Sequence, residues 1–263
     1  MSNIIETIFK LLAVFTIIFL VGFLIKAATG GAHENVPLQK ADINIDNKAS
    51  LQRGYKYATN YCLGCHAASY SRYNRVGRDL GISEKQLIDN LIFTSNERGE
   101  QSKVGDLMKV AMSKTYAKEA FGVVPPDLSL LTRSRGVDWI YTYLKSFYRD
   151  DSRPFGVNNL AFPDVGMPHV LWELQGWQKK VTHVEEDGHG HKHETVSLEL
   201  SEPGTQTPAE YDQTVRDITN FMAYLAEPAQ QKRKTLGFFV MLFLIVFFVA
   251  AYFLKKEYWK DIH

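Results

Sequence analysis

Residues 62–66 read Cys-Leu-Gly-Cys-His, and the interpretation of the whole chain starts from these five residues. The Cys-x-x-Cys-His spacing is typical of covalent attachment of a c-type haem. Cys62 and Cys65 would form thioether bonds to the two vinyl groups of one porphyrin, and His66 would become the proximal ligand of its iron. The chain has no other cysteine. We therefore expect one covalent haem c and no disulfide bond.

Two other kinds of site also use closely spaced cysteines. A Cys-x-x-Cys redox pair occurs in thioredoxin-like proteins, but that chemistry does not require a histidine directly after the second cysteine. A structural zinc site needs four ligands, and Cys62, Cys65 and His66 supply only three. Haem attachment is therefore the favoured interpretation.

The iron needs a second axial ligand, and a methionine thioether would raise the potential and suit electron transfer. Five of the six methionines have ordinary explanations, as the chain start, a residue of an apolar run or fillers at helical spacing: Met1, Met241, Met108, Met112 and Met222. Met167 differs because it lies in Gly166-Met167-Pro168, where the chain cannot be regular. Met167 is the expected ligand, and His169 is its competitor.

Length, composition and charge exclude several classes of protein. The chain has 263 residues and a formal net charge of +1, so no electrostatic argument favours a nucleic acid partner. Hydrophobic residues make up 45% and aromatic residues 13%, which excludes a disordered or collagen-like chain. With two cysteines, the chain is not a disulfide-dense secreted scaffold.

Two apolar stretches predict how the chain meets a membrane. Residues 236–254 carry no charge, and about 20 such residues cross a hydrocarbon core of about 30 Å. They predict a C-terminal transmembrane helix. Residues 11–25 lie between Lys10 and Lys26 and resemble the apolar core of a signal peptide. This segment is either a cleaved signal peptide or a retained N-terminal anchor, with a slight preference for the anchor, and either places the following domain outside the cytoplasm.

These features divide the chain into three parts. Residues 1–30 form the N-terminal apolar segment, 31–231 the exported haem domain, and 232–263 the transmembrane anchor with a short cytoplasmic tail. Apolar periodicity predicts that the domain is mainly α. The first predicted helix begins at Asp46 or Asn47. Further helices are predicted over 84–93, 107–120 and 138–148, and another begins at a Thr207–Glu210 capping box. Residues 149–168 are predicted to be an irregular functional loop, and 178–200 a β-hairpin.

Taken in order, the motifs resemble the cytochrome c1 family, the haem c subunit of the ubiquinol–cytochrome c reductase (bc1) complex. The resemblance runs from about Asp42 to the C-terminus and includes the C-terminal span. It is carried by these segments: Cys62-Leu63-Gly64-Cys65-His66, Pro125-Pro126-Asp127-Leu128-Ser129, Arg133-Ser134-Arg135-Gly136, Asn158-Asn159, Phe162-Pro163 and Met167-Pro168. It implies a class I cytochrome c-like haem domain with a small β-hairpin insertion, plus a C-terminal transmembrane helix.

The resemblance also implies a set of cofactor-binding residues: Cys62, Cys65, His66, Met167, Pro125, Pro126 and Arg135. His66 and Met167 would be the axial ligands, and the two prolines would line the haem pocket. Arg135 matches a family arginine that approaches a haem propionate, with Arg133 as the alternative. A propionate partly removed from water needs a paired cation, so the role is physically reasonable.

The function implied is electron transfer from the Rieske iron–sulfur protein to a soluble or membrane-bound cytochrome c. Cytochrome b and the Rieske protein would be partners in a dimeric complex of the bacterial inner membrane, with the haem domain in the periplasm and the C-terminus in the cytoplasm. No substrate bond changes at this subunit, so it is not expected to be an enzyme by itself. The alternatives are an anchored mono-haem cytochrome that feeds a terminal oxidase, and a haem-based gas sensor or peroxidase.

Two further groups of residues have open interpretations. Asn158 and Asn159 either fix the ligand loop through side-chain-to-backbone bonds or simply form turns. The histidines near the hairpin turn could bind a transition metal, but a solvated loop is favoured: His183, His189, His191 and His193.

Overall fold

The structure is a computed structural model, and it describes residues 36–95, 98–110, 112–186 and 192–261. The predicted N-terminal apolar segment lies outside the described residues, as do His189 and His191 of the histidine-rich hairpin turn.

Helix α1, Lys48–Tyr61, delivers the chain to the Cys-x-x-Cys-His motif. Its start is the predicted one, because the Asn47 side chain caps the helix by accepting a hydrogen bond from the Ser50 N–H at 3.1 Å. Leu51, Tyr55 and Ala58 form its buried apolar face. The helix ends where Cys62 begins the motif, so the position of the cysteines depends on how α1 is packed.

Helix α8, Pro208–Ala226, is the main packing partner of α1. The predicted capping box is confirmed, since Thr207 and Glu210 cap each other and Pro208 occupies the first helical position. Between the two helices, the carboxylate of Asp217 is almost fully buried. It accepts hydrogen bonds from Ser50 Oγ at 2.6 Å and from Arg53 Nε at 2.6 Å. This polar network therefore fixes the register of α1 against α8.

The segment after the motif forms two short strands and three small helices. Strand β1 is Ala68–Arg72, and it is followed by helices α2, Tyr73–Leu80, and α3, Glu84–Asn90. Strand β2, Leu107–Met108, pairs with β1 in antiparallel fashion, and helix α4 is Lys114–Phe121.

The prediction of one helix over 107–120 is wrong. Met108 is opposite Ala68 in the β1–β2 pair, so its backbone is extended rather than helical. Helix α4 begins only after Ser113, whose side chain caps it by accepting from the Tyr116 N–H at 3.1 Å. Met108 is nevertheless buried in the core, as expected for a filler methionine.

The third quarter of the chain builds the walls around the predicted ligand loop. Helices α5, Leu131–Arg135, and α6, Val137–Lys145, are followed by the antiparallel strands β3, Phe147–Arg149, and β4, Val157–Asn159. The predicted helix over 138–148 therefore ends earlier, because 147–149 pair with β4. A single turn of helix, α7, Trp172–Gln175, leads into the hairpin.

The predicted β-hairpin is confirmed and is longer than expected. Strand β5, Gly176–Glu186, pairs with β6, Lys192–Pro203, and Thr182 lies opposite Val196. Gly176 is required at its start, because its φ is +89° and an added Cβ would lie 2.1 Å from the Glu202 carbonyl oxygen.

Helix α9, Gln230–Tyr258, is the candidate membrane span among the described residues. Its 29 residues extend about 44 Å at 1.5 Å per residue, more than the hydrocarbon core requires. None of its residues is buried against the protein. The expected architecture, mainly α with a hairpin and a C-terminal apolar helix, is confirmed, although the described residues hold three two-stranded sheets instead of the hairpin alone.

Substitution of Gly54 by alanine tests the close contact of α1 with α8. An added Cβ would lie 2.0 Å from the Asp217 carbonyl oxygen and 2.8 Å from the Phe221 Cβ. We expect Gly54→Ala to lower the free energy of unfolding by about 3 kcal/mol, at the upper end for overpacking. Gly105→Ala is the control, since nothing lies within 4 Å of its added Cβ. Equal stability of the two variants in denaturant titrations would contradict the packing described.

Candidate functional site

The Cys-x-x-Cys-His motif forms a tight turn at the end of α1. The Cys62 N–H donates to the Ala58 carbonyl at 2.9 Å, and the Cys62 carbonyl accepts from the N–H groups of Cys65 and His66 at 3.1 and 2.9 Å. Cys62 is buried and Cys65 is half-buried, and both are free thiols. Burial, with a smaller contribution from Cys65, raises the pKa of the Cys62 thiol to about 12. The turn brings all three side chains of the motif together.

His66 is held by the backbone of the Pro125-Pro126 segment. Its Nδ1 lies 2.7 Å from the Pro126 carbonyl oxygen. A carbonyl only accepts, so Nδ1 must carry the proton and donate it, and Nε2 keeps its lone pair for a metal. Burial lowers the pKa of His66, which keeps the ring in the neutral form that binds a metal. Pro126 thus belongs to the site through its carbonyl, whereas Pro125 is half-buried beside it.

Asp127 ties this segment to the residues that follow the motif. Its carboxylate accepts from the Ser69 N–H at 3.0 Å and from the Ser129 N–H at 2.8 Å. The Leu128 N–H donates to the Ala67 carbonyl at 2.8 Å. Sequence analysis missed Asp127 as a linking residue, although an Asp two positions before Ser in a proline-containing turn is a usual signal.

The same segment also reaches the predicted ligand loop. A Cβ added to Gly166 would lie 3.0 Å from Val123 Cγ2 and 3.3 Å from the Phe121 carbonyl oxygen. Val123 and Pro126 are three positions apart in the chain, and an extended chain of that length spans at most about 10 Å. The contact of the ligand loop and the contact of His66 therefore lie at the two ends of one short segment, residues 123–126, which we call the strap.

Met167 is half-buried in this loop, beside a small apolar cluster of Phe147, Val157 and Val165. The hydroxyl of Tyr143 donates a hydrogen bond to Met167 Sδ at 3.3 Å. Burial raises the pKa of Tyr143, so the hydroxyl keeps its proton over the physiological pH range. The thioether is therefore oriented by a neighbour on α6, which sequence analysis did not anticipate.

Asn158 and Asn159 fix the ligand loop through side-chain-to-backbone bonds. The Asn159 side chain donates to the Tyr143 carbonyl at 2.8 Å and accepts from the Ala161 and Phe162 N–H groups at 2.9 and 3.1 Å. The Asn158 side chain accepts from the Asp164 N–H at 2.9 Å. The loop-fixing interpretation is thus confirmed, and the irregular backbone has partners for its buried polar groups.

His169, the competitor of Met167, lies in the core. Its side chain is 5% exposed, and its ring stacks on Phe147 with the centroids 4.9 Å apart and an angle of 5° between the planes. Trp177 covers an edge of the ring at 5.9 Å. Burial lowers the pKa of His169 to about 4. The His169 ring is less accessible to a porphyrin than the half-buried Met167 side chain, which favours Met167.

A group of aromatic and cationic side chains forms a further part of the candidate site. The Arg135 guanidinium lies 5.1 Å from the centroid of the Trp139 ring and 5.9 Å from that of Phe162. Trp139 Nε1 is buried, and no partner for its N–H lies among the described residues. A cation beside an unpaired N–H donor fits a carboxylate supplied by a bound group, such as a haem propionate. This unpaired donor and the His66 tautomer both fit a haem c at the candidate site.

The alternative arginine has a different environment. Arg133 is exposed and contributes to lowering the pKa of Glu227, behind the larger effect of a hydrogen bond from Arg233. Arg133 therefore lies near Glu227, which follows the end of α8, whereas Arg135 lies over the Trp139 ring and remains the better candidate for a propionate.

Among the described residues, no group of three His, Cys, Asp or Glu side chains could hold a metal ion. His183 is exposed and its Nε2 lies 2.9 Å from Ser197 Oγ. The other histidines of the hairpin turn, for which a solvated loop is favoured over a metal site, fall at positions whose side chains lie outside the described part of the chain: His189, His191 and His193.

Comparison with known proteins gives consistent matches over most of the chain. A family model described as the Cytochrome C1 family matches residues 40–262. "Cytochrome c1" of Allochromatium vinosum is 52% identical over 238 residues, covering 90% of this chain and 93% of the relative. "Ammonia monooxygenase gamma subunit" of Nitrosomonas europaea is 49% identical and covers 88% of this chain and 91% of that protein. "Cytochrome c1, heme protein, mitochondrial" of Neurospora crassa is 27% identical and covers 82% and 63%.

Removal of the Asn159 side chain tests how the ligand loop is held. Asn159→Ala leaves the Ala161 and Phe162 N–H groups without an acceptor, so we expect the free energy of unfolding to fall by about 2–3 kcal/mol. Asn90→Ala is the control, because that exposed side chain makes a single bond at the end of α3 and its loss should cost less than about 0.5 kcal/mol. Denaturant unfolding measures the free energy of unfolding of both variants. An Asn159→Ala protein as stable as the unmodified protein would refute this role.

Proposed function

The chain belongs to the cytochrome c1 family, and from this premise we propose that it is the membrane-anchored, mono-haem c electron-transfer subunit of a quinol–cytochrome c reductase, the bc1 complex. It receives electrons from the Rieske iron–sulfur protein and passes them to a cytochrome c. The observation that carries the proposal is the hydrogen bond of His66 Nδ1 to the Pro126 carbonyl, since it leaves Nε2 of the motif histidine free to bind iron.

Each residue of the candidate site has a defined role in this proposal. Cys62 and Cys65 would hold the porphyrin covalently, His66 Nε2 and Met167 Sδ would bind the iron, and Arg135 with Trp139 Nε1 would bind a propionate. The bound haem c supplies a one-electron couple between ferrous and ferric iron. No proton is transferred, so the site requires neither a general acid nor a general base. The protein provides the ligands and keeps the ligand loop fixed.

Met167 also distinguishes this proposal from the alternatives. A gas sensor or peroxidase needs an open or easily displaced sixth position. Here the sixth ligand is held by Tyr143, and the loop that carries it is fixed by Asn158 and Asn159. A cytochrome that feeds a terminal oxidase directly is disfavoured by the family membership.

The location in the cell is part of the same proposal. Helix α9 anchors the haem domain, residues 31–231, to the bacterial inner membrane, with that domain in the periplasm and the tail after Lys255 in the cytoplasm. Support comes from its apolar length and from exposed Tyr258 and Trp259 at its end, where aromatic residues meet the membrane interface. Cytochrome b and the Rieske protein are the proposed partners in a dimeric complex. Residues 1–30 act as a signal peptide or a second anchor.

Replacement of Met167 tests the ligand assignment. In Met167→Leu, purified with its haem, we expect the weak methionine-to-iron charge-transfer band to disappear and the reduced protein to bind carbon monoxide. The ferrous–ferric equilibrium should move toward ferric iron by more than tenfold, at about 59 mV per tenfold in a redox titration. Met108→Leu is the control, because Met108 is buried in the core and leucine nearly conserves its volume. A normal spectrum in Met167→Leu would reject the assignment.

Purification of the full chain in mild detergent tests the assembly. We expect cytochrome b and a Rieske protein to co-purify, and we expect the haem to stay with this polypeptide after denaturation in acid and acetone. Loss of the colour would remove the covalent haem, and with it the proposed function. Co-purification with an ammonia-oxidising enzyme instead would favour the role named for the Nitrosomonas relative.

A further inference from the structure

Tyr143 makes the most direct contact with the proposed methionine ligand. Its hydroxyl lies 3.3 Å from Met167 Sδ, and this is its one hydrogen-bond partner among the described residues. The thioether sulfur has two lone pairs and can only accept, so the tyrosine donates. One lone pair then receives the hydrogen bond, and the other remains available to a metal.

The ring of Tyr143 is held so that its hydroxyl stays at the sulfur. Trp139 stacks on one side, with the centroids 5.1 Å apart and 13° between the planes, and Phe147 meets it edge-on at 5.2 Å. The backbone is fixed too, because the Asn159 side chain donates to the Tyr143 carbonyl at 2.8 Å. Tyr143 therefore contacts the ligand loop twice, through its hydroxyl and through its backbone carbonyl. The two ring contacts hold its hydroxyl at the sulfur.

We propose that Tyr143 is a positioning residue that raises the reduction potential of the haem through its hydrogen bond to Met167 Sδ. A donor at the sulfur withdraws electron density from it and weakens its donation to iron. Ferric iron loses more from this than ferrous iron, because it carries the greater positive charge, so the reduced state is favoured. Partners behind a metal ligand commonly orient it and tune the metal in this way. The inference rests on the proposed function, in which Met167 is the axial ligand.

The Tyr143→Phe substitution in the full haem-loaded chain removes the hydroxyl and keeps the aromatic ring. Since one neutral hydrogen bond is lost and only part of it differs between oxidation states, we expect a two- to fivefold shift of the equilibrium toward ferric iron. That shift corresponds to a fall of about 20–40 mV in the midpoint potential at 59 mV per tenfold. The methionine-to-iron charge-transfer band should remain but change in wavelength, because the sulfur becomes a stronger donor.

Tyr211→Phe is the matched control. Its hydroxyl is also buried and also bonds near α6, to the Leu144 carbonyl at 2.8 Å, but it does not contact Met167. We expect this variant to lose stability while keeping the potential and the band of the unmodified protein. The control therefore separates loss of a buried hydrogen bond from loss of the bond to the ligand.

The outcomes distinguish this inference from the proposed function. A Tyr143→Phe protein that is less stable but has an unchanged or higher potential overturns the tuning role and leaves Met167 as the ligand. If the unmodified protein lacks the methionine-to-iron band, the ligand assignment itself fails, and the inference falls with it. A lower potential with a shifted band in Tyr143→Phe alone supports the inference.

Discussion

The hydrogen bond between His66 Nδ1 and the Pro126 carbonyl joins the two halves of the site, which are 60 residues apart in the chain. Because a carbonyl cannot donate, this bond determines the tautomer of the histidine and leaves the lone pair of Nε2 available to a metal. It also anchors the strap that runs back from Pro126 to Val123 and reaches the ligand loop at Gly166. Together with the bonds of Asp127 to Ser69 and of Leu128 to Ala67, it holds this segment against the motif.

The motif and the methionine loop, the two sides of the candidate site, are held by different interactions. On the motif side, α1 is packed against α8 around the buried carboxylate of Asp217, so the cysteines stand at the end of a rigid helix. On the methionine side, the backbone is irregular, and buried amide groups need partners from side chains. Asn158 and Asn159 provide those partners. These bonds therefore hold the loop that carries the Met167 thioether, although its backbone is irregular.

The polar groups of the site complement a charged cofactor and an electron-transfer role. The Arg135 guanidinium lies over the Trp139 ring, so a propionate that accepts from the unpaired Trp139 N–H would also lie close to a cation. Tyr143 stacks on the same Trp139 and donates to Met167. The proposed propionate contact and the proposed control of the potential thus share one aromatic wall on α6. This arrangement accounts for a helix rich in aromatic residues next to a haem-binding motif.

The sequence was sufficient for features that depend on neighbours along the chain. The haem motif, the Asn47 cap, the Thr207–Glu210 box, the hairpin and the apolar C-terminal helix all follow from spacing, because each is formed by residues a few positions apart. Tertiary structure decided the rest.

Pairing of Met108 with Ala68 overrode the helical period predicted for 107–120. Stacking on Phe147 placed His169 in the core, and long-range contacts gave Asp127 and Tyr143 their roles. Such outcomes depend on residues that meet only after folding, and no local pattern encodes which distant side chain will supply a hydrogen bond or a stacking surface.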